Sequence, residues 1–427
     1  MKKLARNLIE LSLSKTARHT YYVTFGSGGS AILAFIFTVL IGRSISLGDF
    51  GYFSAIMSFI LLTSDVADVG IGSSLARFLP PLEKNKKALF QFYLTSFGTQ
   101  LGICVFLFIS ILMTSSTLAR FVFHRDDFTY LIELTAIGVV GSVMSNFYLY
   151  TCMARQRFTF ASFYMIFTGV LRLIFFFATI AFFPLTLANL IYLQVASLVV
   201  GAIAGQLLCG FDFLGSRFSR ADFIQLVKFS SFLGIARSLT AIAGKLDVLL
   251  LVSLSGPTEA GIYALAAKII AIYPLLSGSF SNVIAPRLSA ISQKNELWAF
   301  IKKVIAGTFF FISTVFFMII VADPFIRILF GEKFSESIPV FRLLLVSMIF
   351  FVGSVPSVSV AIYYLKKPWI LTVNSVIQVV IVFVGNILTI PIYGRFAPAY
   401  VSIVAFGFTW FLTSMLSFSY LKKHHER

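Results

Sequence analysis

The sequence contains few charged residues and few cysteines, and it lacks the common sequence motifs of enzymes. Only 12% of its 427 residues are charged, whereas soluble globular domains contain about a quarter. The three cysteines lie in apolar runs without metal-ligand spacing, and the four histidines form no candidate site. There is no H-E-x-x-H, P-loop, G-x-S-x-G or nucleotide-binding fingerprint. These absences exclude a soluble fold and argue against a metal site and against a hydrolytic or transferase activity.

Long apolar runs dominate the chain. Its residues are 58% hydrophobic and include 50 phenylalanines, and the mean hydropathy is +0.93. Because about 20 mostly apolar residues cross a bilayer as a helix, and lipid offers no partners for open backbone groups, the runs predict an all-α integral membrane protein. Twelve runs are long enough to span, at residues 20–42, 50–73, 88–112, 128–151, 158–183, 186–209, 229–254, 259–282, 299–322, 338–362, 368–391 and 397–420.

Basic residues indicate the orientation in the membrane. Most of the 34 lysines and arginines fall on the side of the N-terminus when the runs are read as alternating spans. Since cytoplasmic loops are enriched in Lys and Arg, both termini are predicted to be cytoplasmic. This bias accounts for the net charge of +17 without a nucleic-acid partner, and it favours contact with anionic lipids. Residues 1–19 are predicted to form a cytoplasmic amphipathic segment, with a disordered basic tail as the alternative.

One phrase is written twice, as SISLGDFGYFSA at Ser44–Ala55 and as SLSGPTEAGIYA at Ser253–Ala264. Within the phrase, Gly51 and Gly261 are 210 positions apart, and the same offset aligns Arg77 with Arg287. Six spans return the chain to its starting side, so the repeat is parallel and predicts two six-helix lobes, with the phrase as a tight external turn. The predicted divisions are an N-terminal segment (1–19), a first lobe (20–209), a cytoplasmic linker (210–228), a second lobe (229–421) and a cytoplasmic tail (422–427).

Two stretches of the second half resemble a known family. They are LFGEKFSESIPVFRLLLVSMIFF at Leu329–Phe351 and LKKPWILTVNSVIQVVIVFVGNILTIPIYGRFAPAY at Leu365–Tyr400. Together with the turn phrases, they resemble the polysaccharide exporters of the multidrug/oligosaccharidyl-lipid/polysaccharide (MOP) superfamily. The length and the twelve spans fit O-antigen and exopolysaccharide flippases best, whereas lipid II flippases usually have fourteen. The resemblance implies the fold of the multidrug and toxin extrusion (MATE) transporters.

The resemblance also implies a transport function rather than an enzymatic one. The substrate would be an undecaprenyl-pyrophosphate-linked oligosaccharide of O-antigen (the lipopolysaccharide side chain) or exopolysaccharide. Alternating access would move it from the cytoplasmic to the periplasmic leaflet of the bacterial inner membrane. The implied partners are membrane lipids, a polysaccharide polymerase and a chain-length regulator, and no cofactor is implied beyond a coupling H⁺ or Na⁺. The alternative function is a multidrug or small-cation antiporter, and a membrane glycosyltransferase is less well supported because the loops are short.

Four basic side chains lie well inside predicted spans, away from the span ends, where a charge costs about 2.5–3.5 kcal/mol. They are Arg172, Arg237, Lys245 and Lys268. Because a pyrophosphate group must cross a region of low dielectric constant, we expect these bases to face one cavity and to supply countercharge. The alternative is internal pairing with aspartates, which would hold helices together without touching substrate.

Acidic residues and prolines within the spans complete the candidates. Those expected to bind a coupling ion are Asp65, Asp68 and Asp247, and those expected to kink helices for gating are Pro274 and Pro356. Ion pairing is the alternative role for Asp247, solvation is the alternative for Asp68, and a purely structural bend is the alternative for the prolines. Tyrosines such as Tyr263 are interpreted as sugar-stacking or interfacial side chains.

Overall fold

In a computed structural model, the described residues are 15–291, 293–367 and 369–425, and they form fourteen α-helices and no strand. The helices are α1 (Lys15–Ser44), α2 (Leu47–Ala67), α3 (Ile71–Leu82), α4 (Lys86–Phe121), α5 (Thr129–Ala154), α6 (Phe158–Phe182), α7 (Leu187–Cys209), α8 (Arg220–Ser255), α9 (Pro257–Ile270), α10 (Ile272–Ala290), α11 (Lys294–Phe330), α12 (Ser337–Ser359), α13 (Trp369–Tyr393) and α14 (Ala397–His425). A π-helical turn, Val360–Tyr364, follows α12. The predicted all-α class is confirmed.

Eleven segments of the described chain are long and apolar enough to cross a membrane. The last of them, Trp369–Leu421, has 53 residues and includes both α13 and most of α14. The helices therefore account for the twelve predicted spans, and the chain is a multi-pass membrane protein. Two of those spans are interrupted, since 50–73 is divided between α2 and α3, and 259–282 is divided between α9 and α10.

The two interruptions have different local causes. Between α2 and α3, Val69 has a φ of 42° and Gly70 a φ of 82°, which lie in the left-handed region that ends a helix and suits glycine. Between α9 and α10, Pro274 is the third residue of the new helix. Its missing N–H and its ring prevent α9 from continuing through this point.

The ends of the predicted segments are placed as follows. Residues 1–14 of the predicted N-terminal segment lie outside the described chain, and α1 begins at Lys15. Helix α8 begins at Arg220, inside the predicted linker, where the Asp222 N–H donates to the Ser219 hydroxyl at 3.2 Å and so caps the first turn. Helix α14 continues to His425, within the predicted tail.

The chain divides into two compact units. The first contains the described residues up to Ile41 together with Phe59–Ser238, and the second contains Gly42–Ser58 together with the described residues from Leu239 onward. In the first unit, α5 packs against α3, α4 and α7, and in the second, α12 packs against α9, α10, α11 and α14. Both are the fourth span of their half, and 61% of the most apolar stretch of each is buried. Each unit is therefore built around the same span of the repeat.

The two copies of the repeated phrase pack against each other inside the second unit. A Cβ atom added to Gly51 would overlap the carbonyl oxygen of Pro257, and one added to Gly261 would overlap that of Leu47. The two contacts are equivalent in the repeat. Leu47 and Pro257 are 210 positions apart, and so are Gly51 and Gly261. The phrase thus does more than form a turn, since its glycines let α2 and α9 meet backbone to backbone.

The turn between α1 and α2 is fastened to the end of α11, also within the second unit. The Arg43 guanidinium donates to the carbonyl oxygens of Ile328 and Leu329. In return, Lys333 Nζ donates to the carbonyl oxygens of Arg43 and Ile45 at 3.0 and 2.7 Å. Burial lowers the pKa of Lys333 below its ordinary value. These side-chain to backbone bonds hold the start of α2 in the second unit.

Candidate functional site

In the first unit, two of the predicted site residues form an ion pair with each other. Arg237 Nη1 lies 2.9 Å from Asp68 Oδ2, and Nη2 donates to the Tyr150 hydroxyl at 3.0 Å. The other Asp68 oxygen accepts from the Gly72 N–H at 3.0 Å, in the first turn of α3. The Asp68 side chain is 13% exposed and that of Arg237 is 45% exposed. The base is thus the accessible member of the pair, and its charge is balanced while Asp68 is ionised.

The break between α2 and α3 brings these residues together. A Cβ atom added to Gly70 would meet the carbonyl oxygen of Ser230, and one added to Gly234 would overlap that of Val69. Glycine on both sides lets the broken segment approach the start of α8 at backbone distance. Asp68, which directly precedes the break, consequently lies level with Arg237, one turn along α8 from Gly234.

Arg172 lies near the middle of α6, among aromatic rings of the first unit. Its guanidinium carbon is 5.4 Å from the ring centroid of Phe37, which also packs edge-on against Phe176 at 5.8 Å. The Nε atom of Arg172 is buried, and no described group accepts a hydrogen bond from it. A cation–π contact offsets part of the cost of burying this charge, but it leaves the Nε–H donor unsatisfied. Arg172 therefore carries an unused donor and a positive charge within a membrane-spanning helix.

In the second unit, Asp247 on α8 is held by two neutral donors. The Tyr263 hydroxyl donates to Oδ2 and the Asn386 amide donates to Oδ1, both at 2.7 Å. These donors come from α9 and α13 and are 3% and 0% exposed. Among the described residues, no cationic side chain pairs with Asp247. The carboxylate therefore has hydrogen-bond partners but no protein countercharge, so that a proton or a small cation would balance it.

A second oxygen near this carboxylate has no partner. The Asn386 Oδ1 atom is buried and accepts no hydrogen bond from a described group. Within the described part of the chain, no cluster of three or more His, Cys, Asp or Glu side chains could hold a metal ion. The site therefore offers one carboxylate and one amide oxygen rather than a preformed set of acidic ligands.

The other predicted bases and Asp65 have varied surroundings. Lys268 in the second unit has its Nζ 4.8 Å from the ring centroid of Phe50 and 5.4 Å from that of Phe53. Lys245 and Asp65 are each partly buried and interact with neighbouring groups. Arg172 and Arg237 thus belong to the first unit, and Lys245 and Lys268 to the second. That the four bases face one chamber stays a prediction.

The two prolines lie where the helices are irregular. Pro274 follows the α9–α10 break, and Pro356 lies one turn before the π-helical turn that ends α12. Beside Pro356, the Ser357 hydroxyl is 2.9 Å from that of Thr413, and the Ser417 hydroxyl donates to the Ser357 carbonyl at 3.0 Å. Hydroxyl groups of α14 thus hydrogen-bond to the hydroxyl and the carbonyl of Ser357 at the irregular end of α12. A gating role for either proline stays a prediction.

Sequence reasoning did not assign the neutral partners of the charged residues. Tyr150 and Tyr263, interpreted from sequence as ring-stacking or interfacial residues, instead hydrogen-bond to Arg237 and Asp247. Asn386 was not singled out at all, although an amide inside a long apolar run is itself a signal, because lipid cannot satisfy it.

A family model described as "Polysaccharide biosynthesis protein" matches residues 16–292, which is more than half of the chain. The chain belongs to this polysaccharide biosynthesis family. The resemblance predicted from the turn phrases and the second half is thereby confirmed, although the stretches at Leu329–Phe351 and Leu365–Tyr400 lie beyond the matched residues. No curated protein sequence matches the chain.

Solved structures of MOP-superfamily transporters share the fold of this family member. A lipid II flippase MurJ in an inward closed conformation has 13% sequence identity and a TM-score of 0.75, and the alignment covers 92% of this chain and 86% of that one. An inward-facing MATE family multidrug resistance transporter has 14% identity and a TM-score of 0.71, with 92% and 96% covered. A MOP superfamily transporter from Pyrococcus furiosus has 13% identity and a TM-score of 0.62, with 95% of each chain covered. The predicted MATE-like fold is confirmed.

Proposed function

We propose that this protein is a flippase for an oligosaccharide linked to undecaprenyl pyrophosphate, the repeat unit of O-antigen or an exopolysaccharide. It moves this lipid from the cytoplasmic to the periplasmic leaflet by alternating access. Membership in a polysaccharide biosynthesis family supports a role in glycan assembly, and the MOP-transporter fold supports transport rather than sugar transfer. The observation that carries the proposal is the buried Nε–H donor of Arg172, which no described group accepts.

The Nε–H donor of Arg172 is buried, and among the described residues no acidic side chain pairs with this arginine. An unpaired charge in a span is costly, and a bound anion would offset that cost. The charge costs about 2.5–3.5 kcal/mol on insertion scales, and the unpaired Nε–H adds to this cost. A diphosphate removes both penalties, because it is anionic and accepts hydrogen bonds from the planar guanidinium in a bidentate manner. Arg172 therefore suits a phosphate-bearing head group better than a cationic drug.

Of the remaining candidate residues, some are assigned to binding the diphosphate head group and others to binding the coupling ion. Arg237 is accessible and pairs with Asp68, so a diphosphate would compete with that carboxylate for it. Lys245 and Lys268 supply further positive charge from the second unit. Asp247 takes the coupling H⁺ or Na⁺, because no described cation balances it. The helix irregularities at Pro274 and Pro356 serve as hinges of the alternating motion.

The setting of the protein follows from the same proposal. It resides in the inner membrane of a bacterium with both termini in the cytoplasm, consistent with the bias of its basic residues. Its product in the periplasmic leaflet would then pass to a polysaccharide polymerase whose chain length a partner protein regulates.

A multidrug or small-cation antiporter is the second candidate. Asp247 is the observation that favours it, because among the described residues only neutral donors contact this half-buried carboxylate, and it could bind an organic cation directly. In that case Arg172 would be a structural residue and its replacement would leave transport intact.

The two candidates are separated by transport in proteoliposomes. The substrate is a labelled undecaprenyl-pyrophosphate-linked oligosaccharide, and its arrival in the outer leaflet is measured by a glycan-cleaving enzyme added outside. We expect Arg172→Ala to abolish flipping and Arg172→Lys to retain part of it. Arg342→Ala is the matched control, since Arg342 is exposed and donates to the Ile319 carbonyl. Normal flipping by Arg172→Ala would refute the proposal.

A further inference from the structure

A groove of about 350 Å³ opens on the second unit between α11, α12 and α14. Its walls are almost entirely apolar, and two of the three tryptophans of the chain, Trp298 and Trp410, line it. Trp298 and Trp410 are each 38% exposed, while Phe309 and Phe418 at the lip are 65% and 64% exposed. The groove is therefore open to the surroundings of the second unit rather than sealed within its core.

Of the four hydroxyl-bearing side chains that line the groove, Thr308, Ser357 and Ser417 hydrogen-bond to the protein. Thr308 donates to the Val304 carbonyl at 2.9 Å, and Ser417 donates to the Ser357 carbonyl at 3.0 Å. The Ser357 hydroxyl shares a hydrogen bond with Thr413 at 2.9 Å. Because these donors are already used, the walls offer little to water or to a sugar, and a hydrocarbon chain is the ligand that fits them.

The groove has the length of one leaflet. Its lining on α11 runs from Trp298 to Ile312, which at 1.5 Å per residue is about 21 Å. Half of a bilayer is about 15 Å of hydrocarbon plus its head-group layer. One acyl chain of a phospholipid matches this length, whereas an undecaprenyl chain is far longer.

Positive charge lies at one end of the groove. The start of α11 carries Lys302, and the turn after α12 carries Lys367, whose Nζ lies 3.7 Å from the ring centroid of Tyr420 on α14. Viewed down the axis of α11, the groove residues span an arc that extends from about 80° on one side of Trp298 to about 20° on its other side. Lys302 lies about 40° from Trp298, at the edge of the groove, whereas Lys303 lies about 140° away. Lys302 and Lys303 are both exposed.

We propose that this groove binds one acyl chain of an anionic phospholipid from the leaflet at the basic end, with the lipid phosphate contacted by Lys302. Trp298 directly precedes the predicted span 299–322, so its ring is expected at the depth where amphipathic side chains border the head groups. The bound chain packs against Gly353, Pro356 and Val360, the irregular end of α12. This lipid site is independent of the flippase substrate, so it stands or falls separately from the proposed function.

The test uses the full-length protein in nanodiscs that contain phosphatidylglycerol with a photoactivatable acyl chain. After irradiation, the crosslinked peptide is identified by mass spectrometry. We expect crosslinks to residues of α11 and α14 in the groove, with several-fold fewer when the same probe carries a phosphocholine head group. An undecaprenyl phosphate probe that labels the groove more strongly than phosphatidylglycerol would overturn the assignment in favour of the carrier lipid.

Paired variants test the groove and the charge separately. Ile305→Trp fills the groove and should lower labelling about five-fold, whereas Ile320→Trp, on an exposed part of the same helix, should not. Ser414→Phe is a second filling variant in case Ile305→Trp does not fold. Lys302→Gln should remove the preference for phosphatidylglycerol, and Lys303→Gln should keep it. Unchanged labelling in a folded filling variant, or equal effects of the two lysine variants, would refute the proposal.

Discussion

The two units share a backbone plan but use their charged residues in opposite ways. In the first, the acid Asp68 is neutralised by Arg237, and the base Arg172 is left with an unsatisfied donor. In the second, the acid Asp247 is held by neutral donors, and the base Lys268 lies over aromatic rings. In the first unit, Arg172 could therefore bind an anion. In the second unit, Asp247 could bind a cation.

This difference suggests a division of labour in the proposed transport cycle. A parallel repeat gives both halves the same scaffold, and the fourth span is the central helix of each. Function then depends on a few polar substitutions placed on that scaffold. The anionic head group is assigned mainly to the first unit and the coupling ion to the second, so that variants should separate the two activities.

The largest effect is expected on stability, when the close backbone contact between α2 and α9 is disturbed. Gly51→Ala places a methyl group against the Pro257 carbonyl and should destabilise the protein by about 3 kcal/mol. Gly48→Ala is the control, because a Cβ atom there meets only the Thr258 hydroxyl at an ordinary 3.7 Å. Thermal unfolding in detergent measures both. Equal stability of the two variants would show that α2 and α9 do not need this close contact.

A slightly smaller effect is expected when the acid of the second unit is neutralised. Asp247→Asn keeps the size of the side chain but cannot exchange a proton or balance a cation. Ion-driven flipping should fall about 100-fold, which corresponds to about 2.7 kcal/mol. Binding of the lipid-linked substrate should be unchanged. Flipping that retains its dependence on the H⁺ or Na⁺ gradient in this variant would remove Asp247 from the coupling step.

The ion pair of the first unit should behave differently. Asp68→Asn leaves Arg237 unpaired and should cost about 1–2 kcal/mol of stability, less than a fully buried pair because Arg237 is 45% exposed. Arg237→Gln in the same protein should restore part of the loss, since a double-mutant cycle isolates the pair. Additive losses in unfolding experiments would show that the two side chains are not coupled.

The smallest effect is expected for a neutral donor. Tyr263→Phe removes one of the two hydrogen bonds to Asp247 and should weaken ion coupling by about 1 kcal/mol, roughly five-fold. The apparent ion affinity in the flipping assay measures this change. Tyr273→Phe, a buried tyrosine of the same unit that is not bonded to Asp247, serves as the control.

Hydropathy predicted the fold well because each apolar run reports directly on membrane burial. The twelve spans follow from these runs, and the repeat follows from residues such as Gly51 and Gly261 that recur at a fixed offset. The pattern could not show that α2 begins in the second unit, because an apolar run carries no information about its packing partner. The break at Gly70 was also missed, since glycine alone does not predict a left-handed backbone.

The candidate site could be predicted only in part. Charges in spans stand out, so Arg172, Arg237 and Asp247 were found from sequence. Whether a charge is paired depends on neighbours from distant helices, and for this reason the ion pair of Arg237 with Asp68 was only one of two open alternatives. Asn386 was missed because an uncharged amide alters hydropathy little.

The division of labour is tested most directly by measuring ligand binding to purified Arg172→Gln and Asp247→Asn proteins side by side. Binding of undecaprenyl pyrophosphate is titrated by tryptophan fluorescence, and the effect of Na⁺ and of pH on thermal stability is recorded for the same samples. We expect Arg172→Gln to lose lipid binding and keep the ion response, and Asp247→Asn to do the reverse. Loss of both responses in each folded variant, or of neither, would contradict the assignment of anion and cation to separate units.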